Sequence, residues 1–222
     1  MRRISFETFY TTFGLVYLML VTNLLLVGAA APLLALAVTT DPARSWPLLA
    51  VAAAAAAPGG AAAFRAFSEH SRGAAGPVLA FARGYRDCWR HALAVGVLTA
   101  AALTVLLVDV RALAASTAGA LVVPLLAVLC VLAPGVGAVS LVAVAEAPQA
   151  RLRDVLRASA YLAVRRWYLT AASLVAGGVQ SALFTQAPAL ALGVTAAPVL
   201  YVAWANSRYT LRPVLAVADT TE

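Results

Sequence analysis

With 222 residues, 63% of them hydrophobic and 11% charged, and a mean hydropathy of +0.90, the chain is too apolar for a soluble globular domain. Its formal net charge of +7 comes from 16 basic residues, all arginine, set in short patches beside apolar runs. That placement gives no extended basic groove for nucleic acid and fits anionic lipid headgroups instead, while two cysteines at different depths, Cys88 and Cys130, make no disulfide framework.

Residues 1–12 carry Arg2 and Arg3 among Ile4, Phe6, Phe9 and Tyr10, an amphipathic lead-in with aromatics suited to a membrane interface. A first apolar span follows at 13–38. Ala29 and Ala31 give it the small-x-small mark of a cleaved signal peptide, but the run exceeds a usual signal core and more spans follow, so it is read as retained. A short polar turn at 39–45 leads to a second span, 46–64, mostly alanine and interrupted by Pro58-Gly59-Gly60. Alanine is nearly neutral for insertion, which makes this the weakest of the span assignments.

The stretch 77–108 organises the chain. Its first half predicts a basic amphipathic helix in which Phe81, Tyr85 and Trp89 recur at a spacing of four on one face beside Val78, with Arg83, Arg86, Asp87 and Arg90 on the flanks and opposite side. Its second half is uncharged from His91 to Asp109 and predicts a third span at 91–108. The expected picture is a helix lying at the membrane surface that turns into one that spans. A fourth span, 118–145, contains Pro124 and Pro134; Pro58 and Pro134 are the expected kink positions. A second basic segment, 146–166, places Leu152, Val155, Leu156 and Ser159 on one helical face and Arg151, Asp154, Arg157 and Arg165 on the rest, with Arg166 at its end. Spans five and six follow at 167–185 and 188–206.

These six spans put both termini and both basic segments on one side, which collects 14 arginines against only Arg44 and Arg111 on the other. So unequal a distribution argues for a cytoplasmic location of both termini. Shifting the chain by 76 residues aligns Pro58-Gly59 with Pro134-Gly135, Tyr85 with Tyr161 and Arg90 with Arg166, the pattern a parallel internal repeat would leave.

Little in the sequence carries chemistry. Cys88 and His91 form a Cys-x-x-His pair without the second pair a tetrahedral metal site needs. Gly73-Ala74-Ala75-Gly76 lacks the lysine of a phosphate loop, and no cofactor motif or catalytic triad is apparent. The span centres hold no charge, which counts against an ion-coupled pump. Asn23, Thr104, Ser173 and Gln180 are read as interhelical hydrogen-bonding groups, and Gly96, Ala100, Gly135, Gly177 and Gly178 as sites of close helix contact.

The segment from Pro58-Gly-Gly-Ala-Ala-Ala-Phe through Phe81-x-x-x-Tyr85-x-x-x-Trp89-Arg-His-Ala to Asp109, together with LRDVLRASAYLAVRRW at 152–167, resembles the YesL-like family of bacterial membrane proteins, with a longer alanine-rich region between spans one and two. The resemblance implies no enzymatic reaction and an association with carbohydrate ABC importers.

The chain is therefore expected to be one all-α domain over 1–222: a polytopic membrane helix bundle with six transmembrane helices and two cytoplasmic basic amphipathic helices. The expected role is a non-enzymatic accessory protein of the bacterial plasma membrane, docking an importer subunit through Phe81, Tyr85, Trp89, Arg83, Arg86, Arg90, Leu152, Leu156, Arg157, Arg165 and Arg166. The lipid bilayer and further copies of the chain are the other expected partners, without cofactor, metal or nucleic acid. The alternative is a transporter or channel for a neutral solute, with its path at Pro58 and Pro134. An importer permease is a weaker reading: Glu146-Ala147 before a basic helix resembles the start of a coupling helix but lacks the glycine that should follow.

Overall fold

The structure, a computed structural model, describes residues 6–73, 76–116, 119–187 and 190–218. Arg2, Arg3 and the side chain of Arg212, counted above on the basic side, lie outside the described residues. The chain runs through α1 (Phe6–Ala29), α2 (Ala31–Thr39), α3 (Pro42–Ser71), α4 (Pro77–Leu113), α5 (Gly119–Glu146), α6 (Leu152–Arg165) and α7 (Trp167–Gln186). A π-helical turn, Ala191–Thr195, then leads into α8 (Ala196–Ala218), and among the described residues there is no strand.

Three helices, α3, α4 and α5, are long and apolar enough to cross a membrane, and α1 with α2 make a fourth if the bent pair counts as one span. The six spans read from the sequence are met to that extent. The first of them is not straight: α1 and α2 meet at 69°. Pro32, in the first turn of α2, has no N–H for the Gly28 carbonyl and its ring crowds that group, so the helix breaks just before it. Glutamine and the interfacial pair Trp167 and Tyr168 dilute α7, and the π-turn divides the last apolar run.

The alanine-rich helix α3 is the centre of the bundle. In its most apolar 18-residue stretch 44% of residues are buried within the protein, against 6% for the corresponding stretch of α4. A helix that faces other helices needs small side chains more than hydropathy, which is why its sequence reads weakly as a span. Asp41 caps it, its carboxylate accepting from the Ala43 N–H at 2.9 Å, and Gly73 at φ +72° turns the chain beyond its end.

α3 and α4 pack antiparallel through glycine. A methyl group added at Gly96 would lie 2.7 Å from the Ala54 carbonyl oxygen and 2.7 Å from the Ala57 Cβ; at Gly84 it would meet the Arg65 stem. The Ala54 carbonyl is the one that Pro58 deprives of its i+4 donor, so the proline's unpaired acceptor is covered by the bare backbone of Gly96. Both α3 and α5 continue as helix through Pro58 and Pro134. Gly135 abuts Thr170 and Gly137 abuts Thr99, whereas Gly177 and Gly178 face open space and are not close-packing positions.

α4 is one continuous helix of 37 residues, about 56 Å long at 1.5 Å per residue. A helix lying on the membrane before turning inward would need a bend that α4 does not have. Its basic half continues into its apolar half without a break and buries Pro77, Ala80, Phe81, Gly84 and Cys88, Gly84 against Arg65 of α3 and Cys88 against Val144 of α5. The 76-residue offset carries α3 onto α5 and the start of α4 onto the start of α6, but the second pair is divided at Arg166, where the first is unbroken. There the buried Thr170 hydroxyl donates to the Ala163 carbonyl at 3.1 Å, replacing the backbone donor lost at the break.

Candidate docking face and its supports

The two basic helices gather at the end of the bundle where α3 and α5 finish and α4 and α7 begin. On α4 the aromatic row is split. Phe81 is 6% exposed and belongs to the core, whereas Tyr85 and Trp89 are 41% and 47% exposed. A spacing of four advances about 40° beyond a full turn at each step, so the row drifts off the buried face. Arg83, Arg86 and Arg90 are exposed, Arg86 and Arg90 on the flank of the helix next to the two rings and Arg83 on its far side. Arg86 pairs with Asp87 at 3.6 Å and Arg90 lies 5.8 Å over the Trp89 ring.

On α6 one apolar face turns inward, while Tyr161 and Val164 are exposed. Val155, Ser159 and Leu162 are buried, and Leu152 and Leu156 pack half-buried against the core, so they anchor α6 to the bundle and are not an outward surface. Arg157 and Arg165 are exposed, the latter 6.0 Å over the Tyr161 ring. Arg166 is held by the bundle: its Nη1 donates to the Tyr209 carbonyl at 2.7 Å. α6 packs chiefly on α5, α7 and α8, while the basic half of α4 packs chiefly on α3.

A buried ionic node beneath them was not among the sequence candidates. The Glu146 side chain, 2% exposed at the end of α5, accepts from Ser68 Oγ at 3.0 Å and Arg72 Nη2 at 2.9 Å through one oxygen. Its other oxygen accepts from Trp204 Nε1 at 3.1 Å and faces Arg208 Nε at 3.7 Å. Arg208 also donates to Ser71 Oγ at 3.0 Å and covers the Trp204 ring. Arg65 donates to the Ala145 carbonyl at 3.0 Å, closing the C-terminus of α5, and pairs with Glu69 at 3.1 Å. One carboxylate thus ties α3, α5 and α8 together. The signal was present as a lone acid ending an apolar span in a chain rich in arginine.

Asn23 and Gln180 are interhelical groups, as expected, with a specific task. A π-turn leaves backbone groups out of the i+4 ladder. Asn23 of α1 donates to the Gly193 carbonyl at 3.1 Å and accepts from the Ala197 N–H at 2.7 Å. Gln180 of α7 donates to the Ala191 carbonyl at 2.7 Å and accepts from the Thr195 hydroxyl at 2.7 Å. Ser173 accepts from Asn206 Nδ2 at 3.3 Å, linking α7 to α8. Cys88 is buried with its thiol 3.6 Å from the Val144 carbonyl, and among the described residues no three His, Cys, Asp or Glu side chains are gathered as a metal cluster would need.

A cavity of about 380 Å³ lies between α3, α5, α7 and α8, walled chiefly by Phe64, Pro134, Val139 and Leu174 and bordered by Asn206 and Ser207. No protein-family model, no curated protein and no solved structure matches this chain.

Proposed function

We propose that the chain is a six-span protein of the bacterial plasma membrane with both termini in the cytoplasm, and that its basic end docks a subunit of a carbohydrate ABC importer without catalysing a reaction of its own. The observation that carries the docking reading is the pair Tyr85 and Trp89, exposed with Arg86 and Arg90 on the adjoining flank of a helix already anchored by Phe81. Tyr, Trp and Arg are the residues in which interface binding energy concentrates, and a rigid anchored helix presents them at little conformational cost. Three to four helices meet the span criterion unaided; α7, at 20 residues, is about 30 Å long, enough for the hydrocarbon core, and the π-turn with α8 supplies the last crossing. The gathering of arginines at one end supports the cytoplasmic assignment. The resemblance to the YesL-like family is what points to an importer as the partner.

The test replaces Tyr85 and Trp89 together by Ser and leaves the buried Phe81 alone. Tagged parent and variant are purified from native membranes and their companions identified by mass spectrometry. Importer subunits recovered with the parent should fall by about tenfold or more with the variant. Equal recovery with both, or no importer subunit with the parent, would refute the docking reading.

A further inference from the structure

We propose that the cavity between α3, α5, α7 and α8 is a binding site for a neutral single-chain amphiphile with a hydroxyl head. Its volume, about 380 Å³, falls in the range of small-molecule sites, roughly 300–1,000 Å³. No charged side chain lines it. The nearest arginine in sequence, Arg208, is committed to Glu146, Ser71 and Trp204. An ionic ligand would enter a low-dielectric space with no counter-ion, which the site would reject.

Most of the polar lining, Thr170, Ser173, Asn206, Ser207 and Thr210, lies toward the start of α7 and the latter half of α8, with Ser181 farther along α7. Ser207 is 3% exposed, lines the cavity, and its hydroxyl has no hydrogen-bond partner among the described residues. Beside it Asn206 spends one amide hydrogen on Ser173, and its Oδ1 has no partner among the described residues. A hydroxyl placed here can accept from Ser207 and donate to Asn206 Oδ1. Away from these two groups the walls are Phe64, Val139 and Leu174, and Gly177 and Gly178 leave room on the α7 side, where an added Cβ would meet nothing within 4 Å. A sugar would bury several hydroxyls unpaired against these apolar walls, so one polar head on an apolar tail fits and a polyol does not.

This site rests on the membrane-embedded reading, and the experiment separates the two. The full chain is reconstituted in phosphatidylcholine nanodiscs and its incorporation checked by size-exclusion chromatography; a chain that does not incorporate defeats the membrane reading and the site with it. Incorporated protein is photolabelled with a diazirine analogue of decanol, and labelled peptides are mapped by mass spectrometry. Labelling should concentrate on 173–178 and 203–210, be displaced by decanol, and resist decanoate and decane at the same concentration. Ser207→Ala, which removes a hydroxyl that holds nothing else, should weaken decanol competition about two- to tenfold. Ala203→Leu, which fills the cavity, should abolish that labelling. Labelling spread equally over the outward residues Val97, Leu98 and Val105 of α4, equal displacement by decanoate, or a Ser207→Ala protein that competes like the parent would overturn the proposal.

Discussion

Removing the carboxylate of Glu146 tests whether the buried node braces the bundle. In Glu146→Ala four donors lose their acceptor, and the structure distinguishes their fates. The Arg72 and Arg208 side chains are 50% and 35% exposed and can turn to water, so each loses no more than a surface pair is worth, up to about 1 kcal/mol. Ser68 is fully buried and Trp204 is 4% exposed. Neither can reach solvent, and each unpaired donor costs about 1–3 kcal/mol. The expected loss is about 2–8 kcal/mol, which for a chain of this size lowers the melting temperature by roughly 4–30 °C. Arg72→Ala should cost about 1 kcal/mol or less, because the remaining three donors still satisfy the acid. The assay is thermal unfolding of the purified protein followed by tryptophan fluorescence, with monodispersity after heating as a second readout. A Glu146→Ala protein that melts within about 2 °C of the parent would show that the node is not a brace. So would an Arg72→Ala protein that falls as far as Glu146→Ala.

Two further substitution sets follow from packing. Gly96→Ala forces a methyl against the Ala54 carbonyl and Ala57, and overpacking of about 1–3 kcal/mol should exceed the helix-propensity gain of about 1 kcal/mol, whereas Gly178→Ala, facing open space, should keep the gain; melting temperatures moving the same way would contradict the packing. Asn23→Leu removes both bonds that α1 makes to the π-turn, so the amides of 193–197 should exchange with deuterium at least tenfold faster while those of α3 stay protected; unchanged exchange would show that the turn does not depend on Asn23.

Much of the scaffold was legible in the residues. The uncharged run after His91 and the polar turn at 39–45 mark elements that local chemistry determines, and the helices follow them, α3 starting from Asp41 within that turn. The alanine run read as the weakest span because hydropathy measures contact with lipid, whereas α3 is packed among other helices and owes its place to small side chains. The bend before Pro32 and the π-turn were missed for opposite reasons. The proline was visible but lay inside a run long enough to look like one span, and the π-turn has no residue signature of its own, being held by Asn23 from 170 positions away. On the candidate face, helical spacing grouped Phe81, Tyr85 and Trp89, yet only contact with α3 decides that the first is core and the others are not. Glu146 went unrecognised as a node because its donors come from α3 and α8, and no spacing in the chain brings them to mind as a set.

The unbroken course of α4 has a mechanical meaning. A rod without a hinge cannot absorb a sideways load by bending; it hands the load to the points where it is gripped. α4 is gripped where Gly84 and Gly96 sit against α3, and its far end reaches Leu113. Tyr85 and Trp89 lie between those two grips, about 18 Å apart along the axis, so a load on the exposed rings is shared by both and passes into α3. The far arm, from Gly96 to Leu113, stands outside the gripped stretch and is shielded from whatever seats itself on the rings.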